Sequence, residues 1–301
     1  MASVRTLIHI GLPRTASTFL QRQVFPKIQG FNFFGVNTAF YSEPFQKLLY
    51  SDESLYKHQS RDQLIRSESE NIFLSNELFC GQSFGMNATN RTRTALRLKQ
   101  SFPGAEIVLV LRNQLSLLES LYAIGVYSGI HKKPEDFLVF EDKVPRYDTF
   151  SANEHIETYK LAPLLKLYKE HFSKVHIFLF EDFRTNPELF LKNLANTLGV
   201  NLDGDIPFRE RENRSLSKRQ ISYFRKINRA KPILEWNKIG KSVFRQKLWF
   251  GEHVLGGKKR FHFSNTLSER IREYFKEDNL ELAKAIPNLG KSENFVKYYN
   301  Y

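Results

Sequence analysis

The chain predicts an α/β fold built on a central, mainly parallel sheet with helices on both faces. Three observations lead there. Short apolar runs alternate with longer stretches of helical period, the order that parallel strands with helical crossovers require. The runs "EIVLVLR" and "VHIFLF" are apolar almost throughout, as in strands covered from both sides. The 301 residues, 41% hydrophobic with 27 Phe, supply ample apolar surface for a core.

Taken in order, strands are expected at 4–10 ("VRTLIHI"), 32–35 ("NFFG"), 71–75 ("NIFLS"), 106–112 ("EIVLVLR") and 175–180 ("VHIFLF"). Helical patterns fill the intervals at 17–28, 89–102, 114–129 and 155–172. The stretch "NPELFLKNLANTLGV" is the best punctuated, with Asn186 suited to cap it, Pro187 to its first turn and Gly199 to its stop. The last third is mainly helical and ends in "TLSERIREYFKEDNLELAKAI". No internal repeat or low-complexity tract interrupts the pattern, and no domain boundary is drawn. Residues 201–265 read as a basic, partly irregular appendage.

Composition narrows the class. Cys80 is the only cysteine, which excludes an intramolecular disulfide and a cysteine-built metal site. No run approaches the roughly 18 apolar residues of a membrane span, and the first strand leaves no room for a signal segment. A cytoplasmic globular protein is therefore expected. The net charge of +13 is unevenly placed: between Arg209 and Arg260, 16 Lys and Arg face 4 Asp and Glu, leaving only +1 for the rest. Such a concentration suits an anionic ligand, an acidic substrate or a membrane surface.

The segment "IHIGLPRTASTFLQ" (residues 8–21) joins an apolar strand to a tight turn and a hydroxyl-rich helix start. A turn of this kind directs backbone N–H groups at a bound anion. The ATP/GTP pattern G-x-x-x-x-G-K-[ST] would begin at Gly11, but Ala16 stands at its second glycine and Ser17 at its lysine, leaving Thr18 in the hydroxyl position. A metal-assisted β/γ-phosphate site is thus poorly supported. Instead Arg14 sits within the turn, followed by Thr15, Ser17 and Thr18. One cation with several hydroxyl and amide donors suits a single phosphate carrying a small anionic group.

"GLPRTASTFLQ" resembles the 5′-phosphosulfate loop, G-x-P-[RK]-[ST]-[GA]-[ST]-T-x-L, of sulfotransferases that use 3′-phosphoadenosine 5′-phosphosulfate (PAPS). "VLVLRNQLSLLESLY" resembles the same family's 3′-phosphate motif, an arginine ending a strand and a serine eight residues later, here Arg112 and Ser120. In this chain Asn113-Gln114 replaces the family's usual Asp-Pro, and Leu117 a further arginine. "VHIFLFEDFRTNPELFLKNLANTLGV" and "REYFKEDNLELA" are similar to later family elements, so the likeness runs from about residue 5 to 286 and is weak between 201 and 265. It implies one sulfotransferase-like domain over 1–301 with a P-loop-type three-layer α/β sandwich.

The resemblance also implies the chemistry. PAPS would be the co-substrate, adenosine 3′,5′-bisphosphate the product, and no metal is expected. Its cradle would be Gly11, Pro13, Arg14, Thr15, Ala16, Ser17, Thr18 and Phe19, with Arg112 and Ser120 on the 3′-phosphate. A late basic residue would complete the pocket, either Lys259 in "GGKKR" or Arg214 in "NRS". Arg14 is the candidate for stabilising charge on the departing phosphate. Glu77, just past the third strand in "NIFLSNELF", is the candidate base, with His9 the runner-up. Aromatic residues interleaved with Lys and Arg from 216 to 250 point to a carbohydrate or other hydroxyl-bearing acceptor, acidic or lipid-linked, with peripheral membrane contact as an option. Nucleic acid is not expected, since no recognised binding module accompanies the stretch. The rival classes are a divergent P-loop kinase or NTPase and a basic module that only binds anions.

Overall fold

The computed structural model describes residues 4–35, 43–65, 70–81, 88–140, 153–208, 216–234, 238–256 and 259–299. They fall into two compact units, one of residues 1–113, 160–210 and 275–301, the other of 114–159 and 211–274.

The first unit holds all five expected strands: β1 (Thr6–His9), β2 (Asn32–Phe34), β3 (Ile72–Ser75), β4 (Glu106–Leu111) and β5 (Val175–Leu179). They form one sheet in the order β2-β3-β1-β4-β5, every pair parallel. His9 pairs with Ser75 on one side and with Val108 on the other, so β1 and β3 end level. The chain first works outward from β1 to β2, returns through β3, then crosses β1 to reach β4. Strand order therefore reverses at β1, and in open parallel sheets ligands bind outside the carboxyl ends at such a point.

Strand residues Leu7, Phe73, Val108, Val110 and Phe178 pack on Leu20, Val24 and Phe25 and on Phe190, Leu191, Leu194 and Leu198 of helix Pro187–Leu198. Each such side chain stabilises the unit by about 1.5–3 kcal/mol relative to exposure. That helix is capped as its sequence suggests. The Asn186 side chain accepts from the Leu189 N–H at 3.0 Å, and Gly199 closes it at φ +61°. Helices Arg91–Ser101 and Leu161–His171 pack together elsewhere in the unit, burying Ala95, Leu98, Leu164 and Leu165.

Several boundaries differ from expectation: the helix expected over 155–172 begins only at Leu161, since His155 ends a short strand and Ile156–Tyr159 forms a 3₁₀ turn. The helix expected over 17–28 is α-helical only at Ser17–Phe19, then widens to a π-turn over Leu20–Val24 and tightens at Phe25–Lys27. Pro26 has no N–H to donate and crowds the carbonyl four residues back, so regular α geometry does not continue through it. The strand expected to reach Phe180 stops at Leu179, because Phe180 opens the helix Phe180–Thr185. Glu181 is thereby placed in the first turn of a helix at the carboxyl end of β5.

The second unit contains helices Gln114–Tyr127, Lys218–Leu234 and Lys238–His253, and a parallel ladder pairing Leu138–Val139 with Glu154–His155. The stretch read as partly irregular thus carries two helices. Ser217 and Gln220 cap the first reciprocally, the Ser217 N–H donating to Gln220 Oε1 (2.9 Å) and the Gln220 N–H to Ser217 Oγ (3.2 Å). Gly251 lets the two helices meet, since a Cβ there would lie 2.6 Å from the Phe224 ring. The Asn228 amide donates to the Val126 (2.6 Å) and Ile130 (3.0 Å) carbonyls at the end of helix Gln114–Tyr127. Among the described residues no helix is long and apolar enough to cross a membrane.

Candidate active site

β1 delivers the chain into the turn at residues 10–16. Gly11 has φ +24°, and a Cβ on it would meet His9 Cε1 at 2.7 Å and Nε2 at 2.9 Å, so backbone and neighbour both require glycine. Arg14 (φ +66°) and Ala16 (φ +62°) are left-handed although neither is glycine. Each such residue costs about 1–2 kcal/mol, and left-handed residues in a turn are how successive N–H groups converge on an anion. Thr15 Oγ1 donates to the Leu12 carbonyl at 2.7 Å, which fixes the turn from inside. Pro13, Arg14, Ala16, Thr18 and Phe19 are half-buried, and Phe19 stacks on Phe208 (5.8 Å) and tilts against Phe183 (5.2 Å).

Glu77 lies two residues past β3, at the start of the turn Glu77–Cys80. The capping role falls to its neighbour: Asn76 Oδ1 accepts from the Leu78 N–H at 2.8 Å. The Ser17 hydroxyl and the Arg14 charge both favour the ionised form of the Glu77 carboxyl. Ser17 Oγ donates to the Leu12 carbonyl at 3.3 Å and lies 3.2 Å from Thr15 Oγ1. Burial pushes the Glu77 pKa above its ordinary value, while Ser17 and Arg14 pull against that rise. Burial also lowers Arg14, with Glu77 opposing. The two residues expected to do the chemistry are therefore electrostatic neighbours.

Arg112 follows β4 and reaches back to the loop. Its Nη1 donates to the Arg14 carbonyl at 2.6 Å, and its guanidinium lies 4.5 Å from the Phe180 ring centroid. Burial pushes its pKa down to about 10, with Glu181 opposing, so it stays protonated at neutral pH. Glu181 Oε1 accepts from the Asn113 N–H at 3.1 Å. Sequence reasoning gave neither Glu181 nor Asn113 a role at the site, noting Asn113 only as a departure from the family's usual Asp. The usable signal for Glu181 was an acidic pair directly after an apolar strand, at the sheet end where Arg14, Glu77 and Arg112 already lay.

The remaining candidates are placed less densely. Ser120 is buried on helix Gln114–Tyr127 of the second unit. Lys259, in the same unit, is exposed beside a fastened segment: Arg260 bridges to Ser217, and the Phe261 N–H donates to the Leu216 carbonyl at 3.0 Å. Arg214 lies outside the described residues. His9, the runner-up base, is fully buried with Nδ1 2.7 Å from Ser75 Oγ, and burial pushes it down to about 3. A neutral ring too weakly basic to take up a second proton at neutral pH, fully buried against Ser75 and Gly11, is a framework residue. Cys80 is buried, its thiol pushed up to about 12 by burial. Among the described residues no three His, Cys, Asp or Glu side chains are grouped to hold a metal ion.

A parallel sheet in this strand order, with a tight glycine-containing turn leading from its first strand into a helix start and basic and acidic side chains at the ends of adjoining strands, defines a P-loop-like α/β protein. The chain belongs to the sulfotransferase family: the model described as "Sulfotransferase domain" matches it over residues 6–286. Its members are enzymes that transfer sulfuryl groups to hydroxyl-bearing acceptors. Among solved structures, a sulfotransferase from Alicyclobacillus acidocaldarius is 16% identical, with 95% of this chain and 96% of that one covered and a TM-score of 0.48. A mouse sulfotransferase complexed with PAP is 11% identical, over 94% and 86% of the two chains, at a TM-score of 0.41. The sulfotransferase domain from the curacin biosynthetic pathway is 12% identical, over 69% and 78%, at 0.38. All three scores lie below one half, so membership rests on the family match. No curated protein sequence is significantly similar to the chain.

Proposed function

We propose that this enzyme transfers a sulfuryl group from PAPS to a hydroxyl of a carbohydrate or glycoconjugate, leaving adenosine 3′,5′-bisphosphate. The observation that carries the reading is the placement of Arg14, Glu77 and Arg112 just past the carboxyl ends of the adjacent strands β1, β3 and β4, with Arg112 bonded to the Arg14 carbonyl. Such a donor needs two anion sites, and the loop and Arg112 are chemically suited to them. When bound, PAPS supplies a sulfur–oxygen bond on its 5′-phosphate that breaks as the acceptor oxygen bonds to sulfur. Glu77 takes the acceptor proton. Arg14 offsets the negative charge left on the phosphate, while the N–H groups and hydroxyls of Gly11 to Phe19 orient it. Arg112 holds the 3′-phosphate, the group to which the sequence motif also assigns Ser120 and a late basic residue, Lys259 or Arg214.

The acceptor class rests on the second unit. Trp249 is 59% exposed on helix Lys238–His253 and stacks on His253 (4.9 Å), within the stretch that carries most of the net charge. Aromatic faces stack on sugars and cations meet their carboxylates or sulfates, and a lipid-linked acidic sugar at a membrane surface would meet the same features. A cytoplasmic setting belongs to this proposal too, on the strength of the single, buried cysteine.

Thermal unfolding tests the donor. In chelator, adenosine 3′,5′-bisphosphate at about 100 times its Kd should stabilise the protein by about 2.7 kcal/mol. Stabilisation by Mg-ATP alone would overturn the reading in favour of a kinase or NTPase. Transfer from labelled PAPS to an acceptor panel tests the rest. Label on glycan hydroxyls is expected, and label only on phenols or peptide tyrosine would overturn the acceptor class.

A further inference from the structure

The family match ends at residue 286, yet the helix Glu293–Tyr299 beyond it is fastened to the chain around Arg112. Phe295 and Tyr299 are fully buried, their rings stacked at 4.6 Å. The Tyr299 hydroxyl donates to Glu181 Oε2 at 3.1 Å, the oxygen not used by the Asn113 N–H. The Asn113 amide in turn donates to the Tyr298 carbonyl. Asn279 Nδ2 donates to the Tyr299 carbonyl (3.0 Å), Asn294 Nδ2 to Asp182 Oδ1 (2.7 Å), and the Arg184 guanidinium lies 4.8 Å from the Tyr298 ring centroid. Residues 112–113 and 181–184 are thus held from one side by a single short helix.

From this arrangement we infer that Tyr299 and Glu181 are positioning residues for Arg112, so that the C-terminal helix sets the affinity for the donor's 3′-phosphate. A buried carboxylate with one oxygen on Asn113 and the other on Tyr299 cannot swing away from the arginine whose charge it favours. Asn113 is fixed from both sides, by Glu181 at its N–H and by Tyr298 at its side chain, which holds the peptide following Arg112. The inference rests on the proposed assignment of Arg112 to the 3′-phosphate.

The test compares Tyr299→Phe, which keeps the ring and removes the hydroxyl, with Glu181→Gln, which keeps the shape and removes the charge. Calorimetric affinities are measured for adenosine 3′,5′-bisphosphate and for adenosine 5′-phosphate, which lacks the 3′-phosphate. Tyr299→Phe should weaken the bisphosphate about 3- to 10-fold and Glu181→Gln at least as much, with the monophosphate within twofold in both. Donor KM should rise with kcat within twofold. Equal losses for both nucleotides, or no loss in either variant, would overturn the inference. Should the wild-type protein bind both nucleotides equally, the 3′-phosphate assignment itself fails, which is a separable result.

Discussion

The two ends of the β-sheet use the same residue types to opposite effect. At the amino end, Arg5 makes a bidentate pair with Glu106 (2.7 Å to each oxygen) and donates its third group to the Leu198 carbonyl at 2.7 Å. His176 Nε2 (2.8 Å) and Lys174 Nζ (3.5 Å) complete the ring around Glu106. The hydrogen bond from Arg5 leads in holding Glu106 down to about 2, and the bond to Glu106 raises Arg5. Arg5 and Glu106 thus each favour the other's charge. At the carboxyl end burial is the leading influence on every group: Arg14 and Arg112 are lowered, Glu77 and Glu181 raised. There the fold keeps charges in an environment that resists them, on a turn with two left-handed non-glycine residues. Functional sites are where such mismatches persist, because a ligand or a transition state offsets them.

The largest expected effect tests that contrast at Glu77. Glu77→Gln should lower kcat by about 10²–10⁴, with bisphosphate affinity within about threefold, measured by sulfuryl transfer and calorimetry. A loss under threefold would make the carboxyl-end cluster structural, like its counterpart. The base must be ionised to work, so kcat/KM should rise with pH through a midpoint above the ordinary glutamate value, as burial of Glu77 requires. That acid limb should vanish in the variant. Next in size is Arg112→Lys, which forfeits the planar fork and its bond to the Arg14 carbonyl. Bisphosphate affinity should fall about 10- to 100-fold, whereas Arg5→Lys, at the other end of the sheet, should leave it unchanged.

The contrast also explains what could be read beforehand. All five strands were legible because parallel, doubly covered strands are continuous apolar runs, and the 187–198 helix because Asn186 and Gly199 punctuate it. Arg14, Ser17 and Glu77 were legible since residues just past adjacent strands of a parallel sheet must lie near one another. Glu181 and Tyr299 were not. Their partnership spans 118 residues, and periodicity carries no information about which distant helix returns to which strand. The π-turn at Leu20–Val24 was hidden because an apolar helical pattern continues through Pro26. The signal for the helix Lys218–Leu234, Ser217 and Gln220 at capping-box spacing, went unread in a stretch whose density of Lys and Arg reads more readily as irregular.

A smaller effect sharpens the amino-end half of the comparison. Glu106→Gln should destabilise the protein at pH 7 by about 1–2 kcal/mol, a figure discounted for the partly solvated Arg5 and Lys174. Glu106 is held below its unfolded value, so the stability it contributes is present above about 4.5 and lost as pH falls toward about 2. Urea unfolding across that window should show a shallower acid decline in the variant, with sulfuryl transfer at neutral pH unchanged. An unaltered acid profile would mean that this cluster, despite its geometry, is energetically neutral.

The smallest effect separates backbone strain from charge as the source of the mismatch at the carboxyl end. Ala16 is held at φ +62°, ψ +15°, a conformation costing an L-residue about 1–2 kcal/mol and glycine almost nothing. Against that relief stands the greater freedom of glycine in the unfolded chain, about 0.4–1 kcal/mol. The balance predicts that Ala16→Gly stabilises the protein by about 0.5 kcal/mol, raising Tm by about 1–2 °C, with kcat within twofold. A fall in Tm would show that the loop carries no relievable strain at Ala16. The mismatch would then lie wholly in Arg14, Glu77, Arg112 and Glu181, whose charges no backbone substitution can ease.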